Sequence, residues 1–306
     1  MKEKNKILWK RIKQQKYLLL MVLPGMIWLL VFCYLPMYGC QIAFQNYRIT
    51  DVLGTSDWAG LKWFAKFFQD PSFFQVMKNT LGISFLKLLF GFTAPIIFAL
   101  LLNEIRNLKF KRVVQTLSYL PHFLSWVILG GIMITWLSDT GVINRVLIAM
   151  GVLDEGVSFL AKPQYFWGIS VISEIWKELG WGAIIYLAAI SGIDPSLYEA
   201  AEIDGANRFQ KLLYITLPEF SGSIAILFIL QVGGIMGSNF DQIFVLHNAL
   251  NDPASNVIDM FVYKIGIGNA NYSYATAIGL FRSVISLLLL LIANKVTAKL
   301  EGSSLF

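Results

Sequence analysis

Ser191-Gly-Ile-Asp-Pro-Ser-Leu-Tyr-Glu-Ala-Ala-Glu-Ile-Asp-Gly-Ala-Asn-Arg-Phe-Gln-Lys-Leu-Leu-Tyr-Ile-Thr-Leu-Pro218 joins two long apolar runs of the chain. Its local signals predict a helix, a sharp turn and a second helix. Asp194 can accept hydrogen bonds from the free N–H groups of a helix start, and Pro195 suits the first helical position. The first helix is expected to reach about Ile203. Gly205 takes a positive φ at low cost, so it can end that helix and turn the chain. A second short helix follows, and Pro218 marks the return to the membrane. Such a helix–glycine–helix is a rigid knob: Ala200 and Ala201 keep one side thin enough for close docking, and Glu199 and Glu202 offer charged contacts. Composition alone leaves an ordinary connection between spans as an equal reading.

The flanking sequence sets the knob in a membrane. Of the 306 residues 56% are hydrophobic and 14% charged, where a soluble domain carries about 25% charged residues. Residues 17–40, 79–102, 113–137, 165–190, 220–246 and 272–293 are each long enough to cross a hydrocarbon core of about 30 Å, which takes roughly 20 helical residues. The fold class is therefore an all-α membrane protein of six transmembrane helices. Fifteen of the 25 Lys and Arg residues fall in segments that alternate with those holding seven, and Lys87, Lys177 and Arg282 lie within the runs. That bias places both termini in the cytoplasm and accounts for the net charge of +6 without nucleic acid as a partner.

The expected organisation is a basic cytoplasmic segment at 1–16, a membrane domain at 17–295 with the loop 191–218 on its cytoplasmic side, and a cytoplasmic tail at 296–306. The first run is too long for a signal peptide and no small-residue cleavage site follows it, so it reads as a retained anchor. Two outer stretches, 58–68 and 141–152, read as short helices lying on the interface. Cys33 and Cys40 lie seven apart, about 10 Å along a helix, too far for a disulfide; they read as buried small apolar side chains. His122 and His247 make no metal spacing. His122, beside Pro121, reads as structural.

The spacing within the loop is specific. Glu199-Ala200-Ala201, three residues including Glu202 and Asp204, Gly205, nine residues, Ile215, one residue and Leu217-Pro218 resemble the EAA motif of permease subunits in binding-protein-dependent ABC importers. Ala99-Leu-Leu-Leu-Asn-Glu-Ile-Arg106, Gln115-Thr-Leu-Ser-Tyr-Leu-Pro-His-Phe-Leu-Ser-Trp126 and Tyr198-Glu-Ala-Ala-Glu-Ile-Asp-Gly-Ala206 are similar to the sugar-importing branch, most of all to permeases for oligosaccharides derived from plant or bacterial polysaccharides. No outer loop is long enough for the extra domain of the maltose-type permease. The resemblance implies a second homologous permease subunit, two ATPase subunits and an extracytoplasmic solute-binding protein, with membrane lipid around them and a carbohydrate as cargo. It implies residence in the cell (cytoplasmic or inner) membrane. It also implies that Glu199, Ala200, Ala201, Glu202, Asp204, Gly205, Ile215 and Pro218 couple to the ATPase, which binds ATP and Mg. No G-x-x-x-x-G-K-[ST] loop occurs, so this chain is expected to hold no cofactor and to be no enzyme.

A charge inside a bilayer normally faces a pathway or a partner. Glu174, Lys177, Glu178 and Trp181 fall on one stripe of the fourth run, readable either as a Glu–Lys pair within the helix or as the wall of a sugar path. Gly233, Gly234 and Gly237 permit close packing in the fifth run, and Asn239, Phe240 and Asp241 follow with chemistry suited to sugar. The candidate path residues are Glu178, Trp181, Asn239, Phe240 and Asp241; Lys87 and Arg282 read as ion-paired scaffolding. Rival functions are an importer permease for amino acids or peptides, which would share the loop spacing, and an ion-gradient transporter, which would favour internal repeats that the halves do not show.

Overall fold

The computed structural model describes residues 13–237 and 239–301, and every long element among them is a helix. Residues 1–12 of the basic N-terminal segment and 302–306 of the tail lie outside the described residues. Helix α1 spans Lys16–Phe44 and loosens into a 3-10 turn over its last residues. The outer stretch then forms α2 (Lys62–Gln69), and α3 follows at Phe73–Glu104. Next come α4 (Leu108–Phe123), α5 (Trp126–Trp136), α6 (Val142–Ala149) and α7 (Pro163–Ser191). The loop supplies α8 (Pro195–Ile203) and α9 (Arg208–Glu219). The chain ends through α10 (Ser221–Gly233), α11 (Phe240–Leu246), α12 (Asp252–Ser255), α13 (Ile258–Tyr263) and α14 (Tyr272–Glu301). The two stretches read as short helices are helical, as α2 and α6.

Among the described residues three helices, α1, α3 and α14, are long and apolar enough to cross a membrane, and the number reaches five if each of two bent pairs, α4–α5 and α9–α10, is one span. The fourth expected span is α7, whose 29 residues extend about 43 Å but carry Glu174, Lys177 and Glu178 in the middle. Two runs expected as continuous spans are broken. The run 113–137 bends by 101° between α4 and α5: Pro121 tightens the end of α4 into a 3-10 turn, the chain becomes extended at Leu124, and the Ser125 hydroxyl accepts from the Ile128 N–H at 3.3 Å to start α5. The run 220–246 leaves α10 at Gly234 and starts again as α11 after Asn239, whose φ is 58°. Hydropathy averaged over a window does not register either break.

The broken segments meet at one end of the molecule, where Ile83, Met133, Phe166, Ile243, Leu246 and Met260 form one apolar core. At the other end Ala99, Ala183, Tyr186, Ile190, Ile193 and Phe220 join α3, α7 and α10 to the knob. Helices α4 and α7 approach closely: a Cβ on Gly180 would stand 2.3 Å from the Ser118 carbonyl oxygen. Helix α1 is the exception to this packing, since residues 16–38 are all exposed on this chain. The cysteines follow it: both are free, Cys33 exposed and Cys40 half-buried, contrary to the buried positions expected.

Candidate functional site

Helices α3, α7 and α10 enclose a cavity of about 360 Å³ whose wall includes Lys87, Pro95, Glu174, Glu178, Trp181 and Gln231. This volume lies in the roughly 300–1,000 Å³ range of small-molecule sites. Of the stripe expected on α7, Glu174, Glu178 and Trp181 face it while Lys177 is buried behind, and its charges are partnered mainly by other elements. Lys87 of α3 is ion-paired with Glu174 and donates to Gln242 Oε1 at 2.6 Å. Gln242 is fully buried and donates in turn to the Ser170 carbonyl at 2.7 Å and the Ser173 hydroxyl at 2.8 Å. Lys177 Nζ donates to the His122 carbonyl at 2.5 Å and lies 3.5 Å from Glu178 Oε1. The sequence suggested a Glu–Lys pair along one helix; the Lys177–Glu178 contact is present, whereas Glu174 reaches across to α3. Lys87 and Arg282 are ion-paired as expected, Arg282 with Asp259.

The five expected path residues do not share one cavity. Glu178 and Trp181 line the enclosed one, while Asn239 and Phe240 line a wider one of about 1100 Å³ beside Asp259, Tyr263, Tyr272 and Arg282. Asn239 links the two through a 3.4 Å contact from its Nδ2 to Glu174 Oε2. Asp241 lines neither cavity and is exposed on the first turn of α11. Sequence reasoning missed His122 as a neighbour of this site. Its ring lies parallel to the Trp181 indole with centroids 4.3 Å apart, and its Nδ1 is 2.7 Å from Glu178 Oε2. Gln231 and Gln242 were missed as well, since a single amide in an apolar run carries no pattern.

The knob matches its sequence reading closely. Asp194 accepts from the Ser196 N–H at 2.9 Å, and that hydrogen bond holds its carboxyl below the usual carboxylate range. At the far end of α8 the Ala206 N–H donates to the Ala201 carbonyl at 2.8 Å and the Gly205 N–H to the Glu202 carbonyl at 3.1 Å. This pairing needs a left-handed residue after the cap, and Gly205 supplies it with φ 78°. Asn207 starts α9 with a reciprocal cap to Gln210. Glu202 is paired with Lys211 at 2.5 Å, and the hydrogen bond from Lys211, helped by its charge, keeps the Glu202 carboxyl low. It therefore clips α8 to α9, as does the 2.9 Å hydrogen bond between the Tyr198 and Thr216 hydroxyls. Glu199, Ala200, Asp204 and Pro218 are exposed or half-buried at the surface, and Ala201, Asp204, Gly205 and Ile215 border a shallow groove. Around them Ile203, Phe209 and Tyr214 stand 88%, 68% and 77% exposed, an apolar surface that no spacing rule announced.

The knob is bonded to the cavity wall. Tyr198, Ile215 and Leu217 pack on Ile190, Ile193 and Phe220. This arrangement has parallels in known proteins. The family model described as "Binding-protein-dependent transport system inner membrane component" matches residues 91–302. The polygalacturonan/rhamnogalacturonan transport system permease protein YteP of Bacillus subtilis is 43% identical over the whole of this chain and 95% of its own length. Protein LplB of the same organism is 42% identical over 96% of this chain and 92% of its own. Among solved structures, a bacterial alginate ABC transporter in complex with an alginate pentasaccharide-bound periplasmic protein contains a chain that superposes with a TM-score of 0.88 at 40% identity, covering 97% of this chain and 99% of that one. The chain belongs to the family of binding-protein-dependent transport system inner membrane components.

Proposed function

We propose that this chain is one membrane-spanning subunit of an ATP-driven importer and forms half of the path for an oligosaccharide. In this reading α1, α3, the bent pair α4–α5, α7, the segment α10–α11 and α14 are six spans, with both termini in the cytoplasm. Residues 17–295 form the membrane domain, flanked by the basic segment 1–16 and the tail 296–306. A second homologous permease completes the path, and an extracytoplasmic binding protein delivers the sugar. Two ATPase subunits, which bind the ATP and Mg, dock beneath the permease pair, one of them on this knob through Glu199, Ala200, Ala201 and the apolar surface of Ile203, Phe209 and Tyr214. Glu202 and Gly205 hold the knob's shape, and Ile215 and Pro218 carry its movement into the membrane.

The observation that carries the reading is the direct packing of an exposed helix–glycine–helix onto the helices that enclose a cavity carrying Glu174, Glu178 and Gln231. A rigid-body closure below then changes the cavity above. Glu178 and Trp181 supply the combination that sugars need, a carboxylate for hydroxyl groups and a flat apolar face, with Asn239 and Phe240 offering the same on the neighbouring cavity. The substrate class is supported by relatives whose names specify polygalacturonan, rhamnogalacturonan and alginate.

The test is isolation of the tagged chain from native membranes in mild detergent, followed by uptake of labelled tri- to pentasaccharides into proteoliposomes. A second permease and an ATPase in the complex, with ATP-dependent uptake of a saccharide, are the expected result. A chain recovered alone, whose uptake follows a proton or sodium gradient, would overturn the importer reading. ATP-dependent uptake of amino acids or peptides in place of sugars would overturn the substrate class.

A further inference from the structure

We infer that His122 is a positioning residue for the substrate: it sets the Trp181 indole and the Glu178 carboxylate as one preformed platform for a sugar ring. The inference rests on the carbohydrate reading above. Trp181 lines the cavity and is 43% exposed, so its indole is free to swing unless something backs it. His122 backs it, with ring planes 1° from parallel and centroids 4.3 Å apart, and Phe123 meets it edge-on at 5.8 Å.

His122 is itself fixed at ring and backbone. Its Nδ1 is 2.7 Å from Glu178 Oε2, and Lys177 Nζ holds the His122 carbonyl at 2.5 Å. Glu178 and Trp181 are three residues apart and share one face of α7. One imidazole thus orients both groups that a sugar would touch, a hydroxyl-accepting carboxylate and an aromatic face, although His122 is absent from the cavity wall. Its place follows from the break between α4 and α5: it sits in the 3-10 turn Leu120–Phe123, where the chain turns away by 101°. Orienting side chains before the ligand arrives lowers the entropy cost of binding, so the effect belongs in substrate affinity.

The test uses the whole importer in proteoliposomes, with saccharide uptake measured across a concentration series of a labelled galacturonan, alginate or arabinan trisaccharide. In His122→Ala the KM is expected to rise about threefold to tenfold, the scale of one lost aromatic stack, with kcat within about twofold. His122→Phe, which keeps the flat ring, and His122→Asn, which keeps a donor to Glu178, should each recover part of the KM. In a Trp181→Ala background the His122 substitution should raise the KM by less than it does alone, the remainder being its hold on Glu178.

An unchanged KM in His122→Ala, or a fall in kcat alone that tracks loss of assembled complex, would overturn the platform while leaving the importer reading intact. Where the alanine variant does not assemble, wild-type KM in both His122→Phe and His122→Asn would overturn it equally. Wild-type importer that takes up none of the saccharides would overturn the carbohydrate reading, and the platform with it.

Discussion

Gly205 and Gly180 are both glycines for physical reasons, but the reasons differ and so do the predictions. Nothing lies within 4 Å of a Cβ built on Gly205, yet its φ of 78° is one that side chains oppose. The cost there is conformational, about 1–2 kcal/mol for an ordinary L-residue and more for a β-branched one. Gly205→Val is expected to abolish uptake at wild-type membrane level, whereas Gly205→Asn should keep much of it, because asparagine tolerates the left-handed region. Equal loss in both, read by uptake at matched expression, would show that the backbone conformation is not what matters. Gly180 has an ordinary helical backbone, and its side-chain space is filled by the Ser118 carbonyl. Gly180→Ala should force α4 from α7 and destabilise the chain by about 1–3 kcal/mol, the usual scale of overpacking. A lowered melting temperature of the purified complex would register it.

At the scale of elements, the ion pair of buried Lys87 with half-buried Glu174 ties α3 to α7 beside the cavity. Removing one member of a fully buried pair strands the other at about 3–5 kcal/mol, and less where one partner reaches a cavity, whereas replacing both with apolar groups is often neutral. Lys87→Met should therefore lower the melting temperature more than Lys87→Met with Glu174→Leu, and the reverse order would show that the network, not the pair, sets stability. Another element responds to pH. His247, just after α11, is 2.7 Å from the Ser255 hydroxyl; burial first, and then the charge of Lys264, lower its pKa from the usual 6.5. The folded state therefore binds its proton less readily than the unfolded chain. The stability present above pH 6.5 is lost as pH falls from there through the folded-state pKa. Melting temperature should fall between about pH 7.5 and 5.5, and less steeply in His247→Gln.

Whether such elements could be read from the sequence depended on how local their causes are. The knob was legible to the residue because Asp194, Pro195 and Gly205 act within a few positions of themselves. The breaks at Leu124–Ser125 and Gly234–Asn239 were not, because hydropathy continues across them even where Pro121, Ser125 and the glycines permit a turn. The cavity was half legible. Glu178 and Trp181 follow from helix periodicity, but the Lys87–Glu174 pair spans 87 residues and the His122–Glu178 contact 56, separations that no single-sequence pattern encodes.

For the whole molecule, the decisive feature is α1, which leaves residues 16–38 without a buried side chain and joins the rest at its far end, where residues 38–44 meet α14. A helix this apolar on every face suits a membrane, but in lipid no hydrophobic force draws it back to its own chain; close packing must do so, and on this chain that packing is missing along most of its length. Its 29 residues extend about 43 Å, beyond a core of about 30 Å, so it must tilt, and a tilted helix held at one end reaches outward from its own subunit. We expect the second permease to cover part of it. Cys33 is exposed on this helix and reports the difference directly. With Cys40 replaced by serine, a membrane-permeant maleimide should label Cys33 readily in the chain expressed alone and far more slowly when the companion permease is co-expressed. Equal labelling in the two preparations would mean that this side of α1 faces lipid in the assembled importer and that the subunits meet through other helices.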